Sequence, residues 1–179
     1  CEAERDQYNQ TRLLMGLNDE LFSYPLAAGD TFTVPEVILS YSQNGLSALS
    51  QQYHNCIRNH VCRSKYVHMS RPVLINSWEA AYFDFTGETI VNLAKEAASL
   101  GIDMVVMDDG WFGKRDDDNS SLGDWYVNEK KLGGSLSELI RRVHEQGVKF
   151  GIWIEPEMVN EDSDLYRAHP DWAIQIPGR

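Results

Sequence analysis

The sequence predicts an α/β chain built on a parallel sheet. Three observations carry this: strand-like and helix-like patterns alternate from residue 71 onward, the central apolar run shows no two-residue alternation, and successive runs end on tryptophan beside a carboxylate. Two segments follow from the pattern, residues 1–70 and residues 71–179.

The first segment reads as strands followed by a helix. Leu21–Pro25, Thr31–Val34 and Val37–Tyr41 are the strand runs, with Pro25 and Pro35 at their edges, where a missing N–H is tolerated. Asn44-Gly45 signals a turn. A helical stripe then runs through Leu46, Leu49, Tyr53, Cys56 and Ile57, leading out of the strand region.

The second segment is βαβαβα. Pro72–Asn76 is a short apolar strand. Thr86 caps a helix carrying Ile90, Val91, Leu93, Ala94, Ala97 and Leu100, which stops at Gly101. Asp103–Met107 is apolar on every residue from Met104, as expected of a strand covered on both faces. Ser135-x-x-Glu138 reads as a capping box opening a helix with Leu136, Leu139, Ile140 and Val143 buried, ending at Gly147. Lys149–Ile154 is a third strand, and Ser163–His169 is a short helix before Pro170.

Composition narrows the partners. A net charge of −11 over 179 residues argues against a sequence-independent nucleic-acid surface and against an anionic membrane. The first segment holds 5 basic and 7 acidic side chains and the second 11 and 20, so most of the negative charge lies with the strand–helix alternation. No apolar run approaches the roughly 18–20 residues of a membrane-spanning helix, and Cys1–Asp6 does not read as a signal peptide. Three unevenly spaced cysteines suggest no disulfide framework, so a reducing, cytoplasmic setting is the expectation.

The strand ends carry the chemistry. The first ends Asn76-Ser77-Trp78-Glu79, which is neither a dinucleotide-binding glycine turn nor a phosphate loop. The second ends Asp108-Asp109-Gly110-Trp111 and the third Trp153-Ile154-Glu155-Pro156-Glu157. Tryptophan with carboxylate on three successive βα loops suggests a site at the carboxyl ends of barrel strands. Flat aromatic faces pack on the C–H faces of sugars and carboxylates accept from paired hydroxyls, so the pattern points to carbohydrate. A single strand-end tryptophan more often packs into a core, and Asp116-Asp117-Asp118 reads as a solvated turn. Asp108-Asp109 differs because it directly continues an apolar strand and needs partners, substrate hydroxyls or a metal. A hard cation on Asp108, Asp109 and Glu155 leaves the aromatics unexplained. Glu155 and Glu157 have the spacing of an acid/base pair, and equally that of orienting groups. His54, Cys56, His60 and Cys62 are ligand types, but on a helix only Cys56 and His60 share a face, so a tetrahedral zinc site is not expected.

Gly101–Met107 followed by Asp108-Asp109-Gly110-Trp111 resembles the α-galactosidase signature of glycine, apolar strand and Asp-Asp-x-Trp. Asn76–Ala80, Trp111–Arg115, Gly123-Asp124-Trp125, Phe150–Met158 and Asp164–Trp172 extend the likeness, which runs from about residue 12 to residue 179. Together they resemble the bacterial-type α-galactosidases of glycoside hydrolase family 36. The resemblance implies that residues 1–70 are the end of an N-terminal β-sandwich plus a linker helix. It implies that residues 71–179 are the first three βα units of a (β/α)8 TIM barrel.

The implied activity is retaining hydrolysis of terminal α-galactosyl residues in raffinose, melibiose and related oligosaccharides, without metal or cofactor, by a homo-tetramer. By the resemblance, Asp108 and Asp109 hold galactose hydroxyls, while Trp78 and Trp153 form the pocket walls. Retaining glycosidases need two carboxyls about 5–5.5 Å apart. In the family both are aspartates on later strands, the nucleophile within a Lys-x-Asp run that does not occur after Trp153 here. A full barrel takes about 250 residues and only 109 follow from Arg71, so the catalytic pair is expected beyond Arg179. The alternatives are an α-N-acetylgalactosaminidase or α-galactosyl transferase of the same family, or a non-catalytic carbohydrate-binding fragment.

Overall fold

Asp6 shapes the first turn. In the computed structural model, which describes residues 1–176, its Oδ1 accepts from the N–H groups of Tyr8 and Gln10, each at 2.8 Å. Asn9 takes the left-handed conformation (φ 62°) that asparagine tolerates. The turn joins β1 (Glu2–Arg5) to β2 (Thr11–Leu14), antiparallel, with Glu4 opposite Arg12. This hairpin is not foreseen from the sequence, because Glu-Ala-Glu-Arg carries no apolar alternation.

Conversely, the expected strands at residues 21–25, 31–34 and 37–41 do not form. An apolar pattern makes a strand only where a neighbour supplies the ladder, and here Leu21 turns left-handed (φ 56°) while Asp30 N–H closes a turn on the Ala27 carbonyl. The aromatics of this stretch gather locally instead, Tyr24 and Phe32 lying 4.4 Å apart between ring centres. The expected helix is present as α1 (Gly45–Cys56), continued by one wide π turn over Ile57–Val61. Its stripe is only half-buried at Leu49, Tyr53 and Cys56, and Leu46 and Ile57 are exposed.

The chain divides into two compact units, Cys1–Met69 and Ser70–Arg179. The second contains β3 (Leu74–Asn76), α2 (Trp78–Ala81), α3 (Gly87–Ser99), β4 (Met104–Met107), α4 (Glu129–Leu132), α5 (Leu136–His144), β5 (Lys149–Ile152) and α6 (Asp164–Ala168), then a 3-10 turn over Pro170–Trp172. The final residues of the expected 71–179 segment, 177–179, lie outside the described residues. The sheet is parallel in the order β3-β4-β5, so the α/β reading holds.

Capping explains where the helices begin. Thr86 accepts from Thr89 N–H while the Thr89 hydroxyl accepts from Thr86 N–H, a reciprocal box that starts α3. α3 then buries Ile90, Val91, Ala94 and Ala97, and Gly101 (φ 75°) ends it. Leu100, the C-cap, lies past the last buried turn and is exposed. Ser135 caps α5 through Glu138 N–H, but the Glu138 carboxylate binds Arg141 rather than reaching back, so the box is half made. Leu139 and Val143 are buried; Leu136 and Ile140 are half-buried.

β4 departs from its predicted two-sided burial. Val105 and Met107 are fully buried, whereas Met104 and Val106 are half-covered. The buried face packs with α3 and with Phe112, Leu132 and Val143, each fully or almost fully enclosed. Complete burial of such a side chain contributes about 1.5–3 kcal/mol. The packing is tight enough that a Cβ on Gly87 would stand 2.2 Å from the Leu132 carbonyl oxygen.

Candidate functional site

Parallel pairing brings the carboxyl ends of β3, β4 and β5 side by side, Asn76 opposite Val106 and Met107 opposite Ile152. Asp108 leaves the middle strand first. Its N–H donates to the buried Ser77 hydroxyl at 3.0 Å, its Oδ2 accepts from the Asn76 amide, and its Oδ1 accepts from Asp109 N–H at 2.7 Å. Asn76 Oδ1 in turn accepts from Trp78 N–H at 2.7 Å. The Asp108 carboxylate is therefore aimed by its neighbours yet half-exposed, with about two of its roughly four acceptor positions unused among the described residues.

Asp109 is held differently. It is 6% exposed and its two oxygens receive Arg115 Nε at 3.0 and 3.1 Å and Arg115 Nη2 at 2.8 Å. Arg115 is itself 4% exposed, and its Nη1 donates to the Ser120 carbonyl and to Asn160 Oδ1, both at 3.0 Å. The partner that a carboxylate on an apolar strand requires thus comes largely from within the protein. Gly110 lets the loop turn back for this: it has φ 104°, and a Cβ there would press on Phe83, Phe85 and the Arg115 carbonyl at 3.2–3.3 Å.

The aromatics separate into two groups. Trp78 is half-buried and meets Tyr82 and Phe83 edge-on at 5.1 and 5.0 Å. Trp153 is half-buried beside Trp125, 6.2 Å away, and its backbone carbonyl accepts from Trp111 Nε1 at 2.9 Å. Trp111 is buried in the core, while Trp125 packs on Phe112 at 4.5 Å. Trp78 and Trp153 therefore keep partly open faces at the outer strand ends, flanking the strand that carries Asp108 and Asp109.

Glu155 is half-buried and Glu157 exposed. Asp116, Asp117 and Asp118 form the expected solvated turn, Asp116 pairing with Lys131 at 3.0 Å. Among the described residues no group of three or more His, Cys, Asp or Glu side chains is placed to hold a metal ion. Asp109's charge is met by Arg115 instead. A separate cavity of about 700 Å³ is lined by Glu157, Leu165, Tyr166, His169 and Trp172, and by none of the four residues expected to bind substrate. Beside it, Asp164 lies below its ordinary acidity range because Arg167, and then the Tyr126 hydroxyl, bond to its charged form. Tyr126 is raised in turn, chiefly by that same bond.

The Melibiase family model matches residues 31–179. The chain belongs to the Melibiase family. The chain is 88% identical over all 179 residues to a bifunctional α-galactosidase/sucrose kinase of Mediterraneibacter gnavus, spanning 19% of that protein's length. It is 51% identical to α-galactosidase AgaA of Geobacillus stearothermophilus, of which it spans 25%. The chain thus covers about a fifth to a quarter of these relatives. The solved galactosidase domain of the M. gnavus protein superposes with a TM-score of 0.90 over 99% of this chain and 25% of that one. A Geobacillus AgaA variant in complex with raffinose superposes at 0.91 with 50% identity, again over 99% of this chain and 25% of that one.

The site also uses residues that the sequence did not single out for a role. Asn76, Ser77, Arg115 and Asn160 do the orienting. Arg115 had a signal: a carboxylate continuing an apolar strand implies a counter-charge within the following loop. Asn160, 45 positions beyond Arg115, had none. No described helix is long and apolar enough to cross a membrane.

Proposed function

We propose that this sequence forms the sugar-binding opening of a retaining α-galactosidase. The whole protein would release terminal, non-reducing α-D-galactosyl residues from oligosaccharides such as raffinose and melibiose. One observation carries the reading: a half-exposed carboxylate, Asp108, with acceptor positions unused among the described residues, stands at the middle strand end between two strand ends bearing half-buried tryptophans. Galactose differs from glucose by one axial hydroxyl, so discrimination requires a fixed acceptor rather than an aromatic platform alone. Asp108 supplies that acceptor, Asp109 the remaining lone pair of its Arg115-held carboxylate, and Trp78 and Trp153 the walls.

The same reading takes residues 1–70 as the end of a β-sandwich with its linker helix and residues 71–179 as the first three units of a (β/α)8 barrel. Support comes from the exposed apolar side chains between residues 21 and 41 and from three consecutive parallel strands in sequence order. The nucleophile and the acid/base then belong to later strands, and the whole protein is a cytoplasmic, metal-independent homo-tetramer.

The test uses a chimera in which residues 1–179 replace the matching stretch of the 88% identical M. gnavus protein. The chimera is expected to hydrolyse an aryl α-galactoside with retention, and the 179-residue chain alone to show no turnover, since the two carboxyls supply most of the rate enhancement. An inactive, folded chimera contradicts the function. Turnover by the isolated chain contradicts the division of labour. An open sheet edge also predicts that the isolated chain aggregates, and a monomer with a sharp cooperative melt would contradict the barrel assignment.

A further inference from the structure

Arg115 connects the two kinds of sugar contact. Its fork closes on Asp109, and its guanidinium carbon lies 5.6 Å from the centre of the Phe83 ring. Phe83 in turn meets the Trp78 ring at 5.0 Å and 88°, an edge-to-face contact. The remaining nitrogen is fixed at the far side by Ser120 and Asn160, and Asn160 Oδ1 also accepts from Leu122 N–H at 2.9 Å. A guanidinium enclosed on all sides has one conformation to offer, so whatever it touches is held in one place.

Resting on the α-galactosidase reading, we infer that Arg115 is a positioning residue for galactose, holding the Asp109 carboxylate in register with Asp108. Among the described residues Asp108 has no such clamp; its carboxylate accepts from the Asn76 amide and from Asp109 N–H. One carboxylate is thus rigid and one retains some freedom. Lysine keeps the charge but not the planar fork, so it cannot fix the plane of Asp109 or lie against Phe83 in the same way.

The experiment measures inhibition by galactose and the steady-state constants on an aryl α-galactoside for the chimera and its variants Arg115→Lys, Arg115→Met, Asp109→Asn and Asp109→Asn with Arg115→Met. Loss of a hydrogen bond to a charged group corresponds to roughly ten- to a hundredfold in binding. Arg115→Met is expected to weaken galactose by that factor and to raise KM more than it lowers kcat, with Arg115→Lys recovering part of the loss. An Arg115→Met protein that is folded and binds galactose as before overturns the inference. Should that variant fail to fold, the double variant removes the stranded charge and carries the test. If Arg115 acts through Asp109, the double variant binds galactose no more weakly than Asp109→Asn alone. Independent, multiplying losses, or a double variant that also fails to fold, overturn it. An unsubstituted chimera without activity counts against the α-galactosidase reading instead.

Discussion

The two units differ in what their apolar residues accomplish. Cys1–Met69 contains leucines, valines and aromatics at a density that reads as strand, yet not one of its residues is buried. Ser70–Arg179 holds every buried hydrophobic among the described residues, from Phe85 to Val148. Pattern alone does not separate them. In the second unit each apolar run finds a parallel neighbour and a capped helix; in the first, the runs at residues 21–41 find no ladder and turn back locally. An alternating sequence is a statement about a surface to be covered, and it becomes a strand only when backbone partners are present.

The contrast can be broken or sharpened by substitution, read as changes in thermal or urea unfolding of the chimera. Phe112→Ala should cost about 3–5 kcal/mol, because the ring is fully enclosed. Leu21→Ala, whose side chain is fully exposed within this sequence, should cost about 2 kcal/mol or more in the chimera, where the proposed sandwich covers the first unit. No effect would mean that the rest of the sandwich does not reach it. Gly87→Ala should cost about 1–3 kcal/mol, since the new methyl collides with the Leu132 carbonyl and either α3 or α4 must shift. An unchanged midpoint would show that α4 is loosely seated. Ser163→Ala should cost about 1 kcal/mol by removing a buried cap that accepts Tyr166 N–H at 3.0 Å.

The smallest expected effect is electrostatic. Asp164 titrates below its ordinary value of 3.8 in the folded chain, so its contribution is complete above that value and is lost as pH falls through the lowered one. Arg167→Met should therefore lower stability slightly at neutral pH, and its difference from the parent should shrink on acidification below about pH 4. A variant destabilised by the same amount at pH 7 and well below pH 4 would assign Arg167 a packing role instead.

How much was legible follows from the range of the interactions. Thr86, Gly101 and Ser135 announce their helices because capping is local. The strands ending at Asn76, Met107 and Ile152 show as apolar runs; among the described strands the middle one has a neighbour on each side, and α3 packs on it. The β1–β2 hairpin was hidden: its register rests on Asp6 and Asn9, not on hydrophobic alternation. At the candidate site, Trp78, Asp108, Asp109 and Trp153 stand at strand ends as their spacing indicated. The unequal treatment of the two aspartates was not legible, because it depends on Arg115 folding back across Gly110 and on Asn160 arriving from beyond β5.

The central claim is that the second unit reads galactose through the carboxylates at the end of β4. Its most direct test is kcat/KM of the chimera on an aryl α-galactoside for Asp108→Asn and Asp109→Asn, with Glu129→Gln as the control on the exposed start of α4. Exchanging an acceptor oxygen for an amide donor should lower kcat/KM by about tenfold or more in each aspartate variant, with the fold retained, while Glu129→Gln stays within about twofold of the parent. Three variants with the same kcat/KM would show that the carboxylate pair only holds the loop together and takes no part in recognising the sugar.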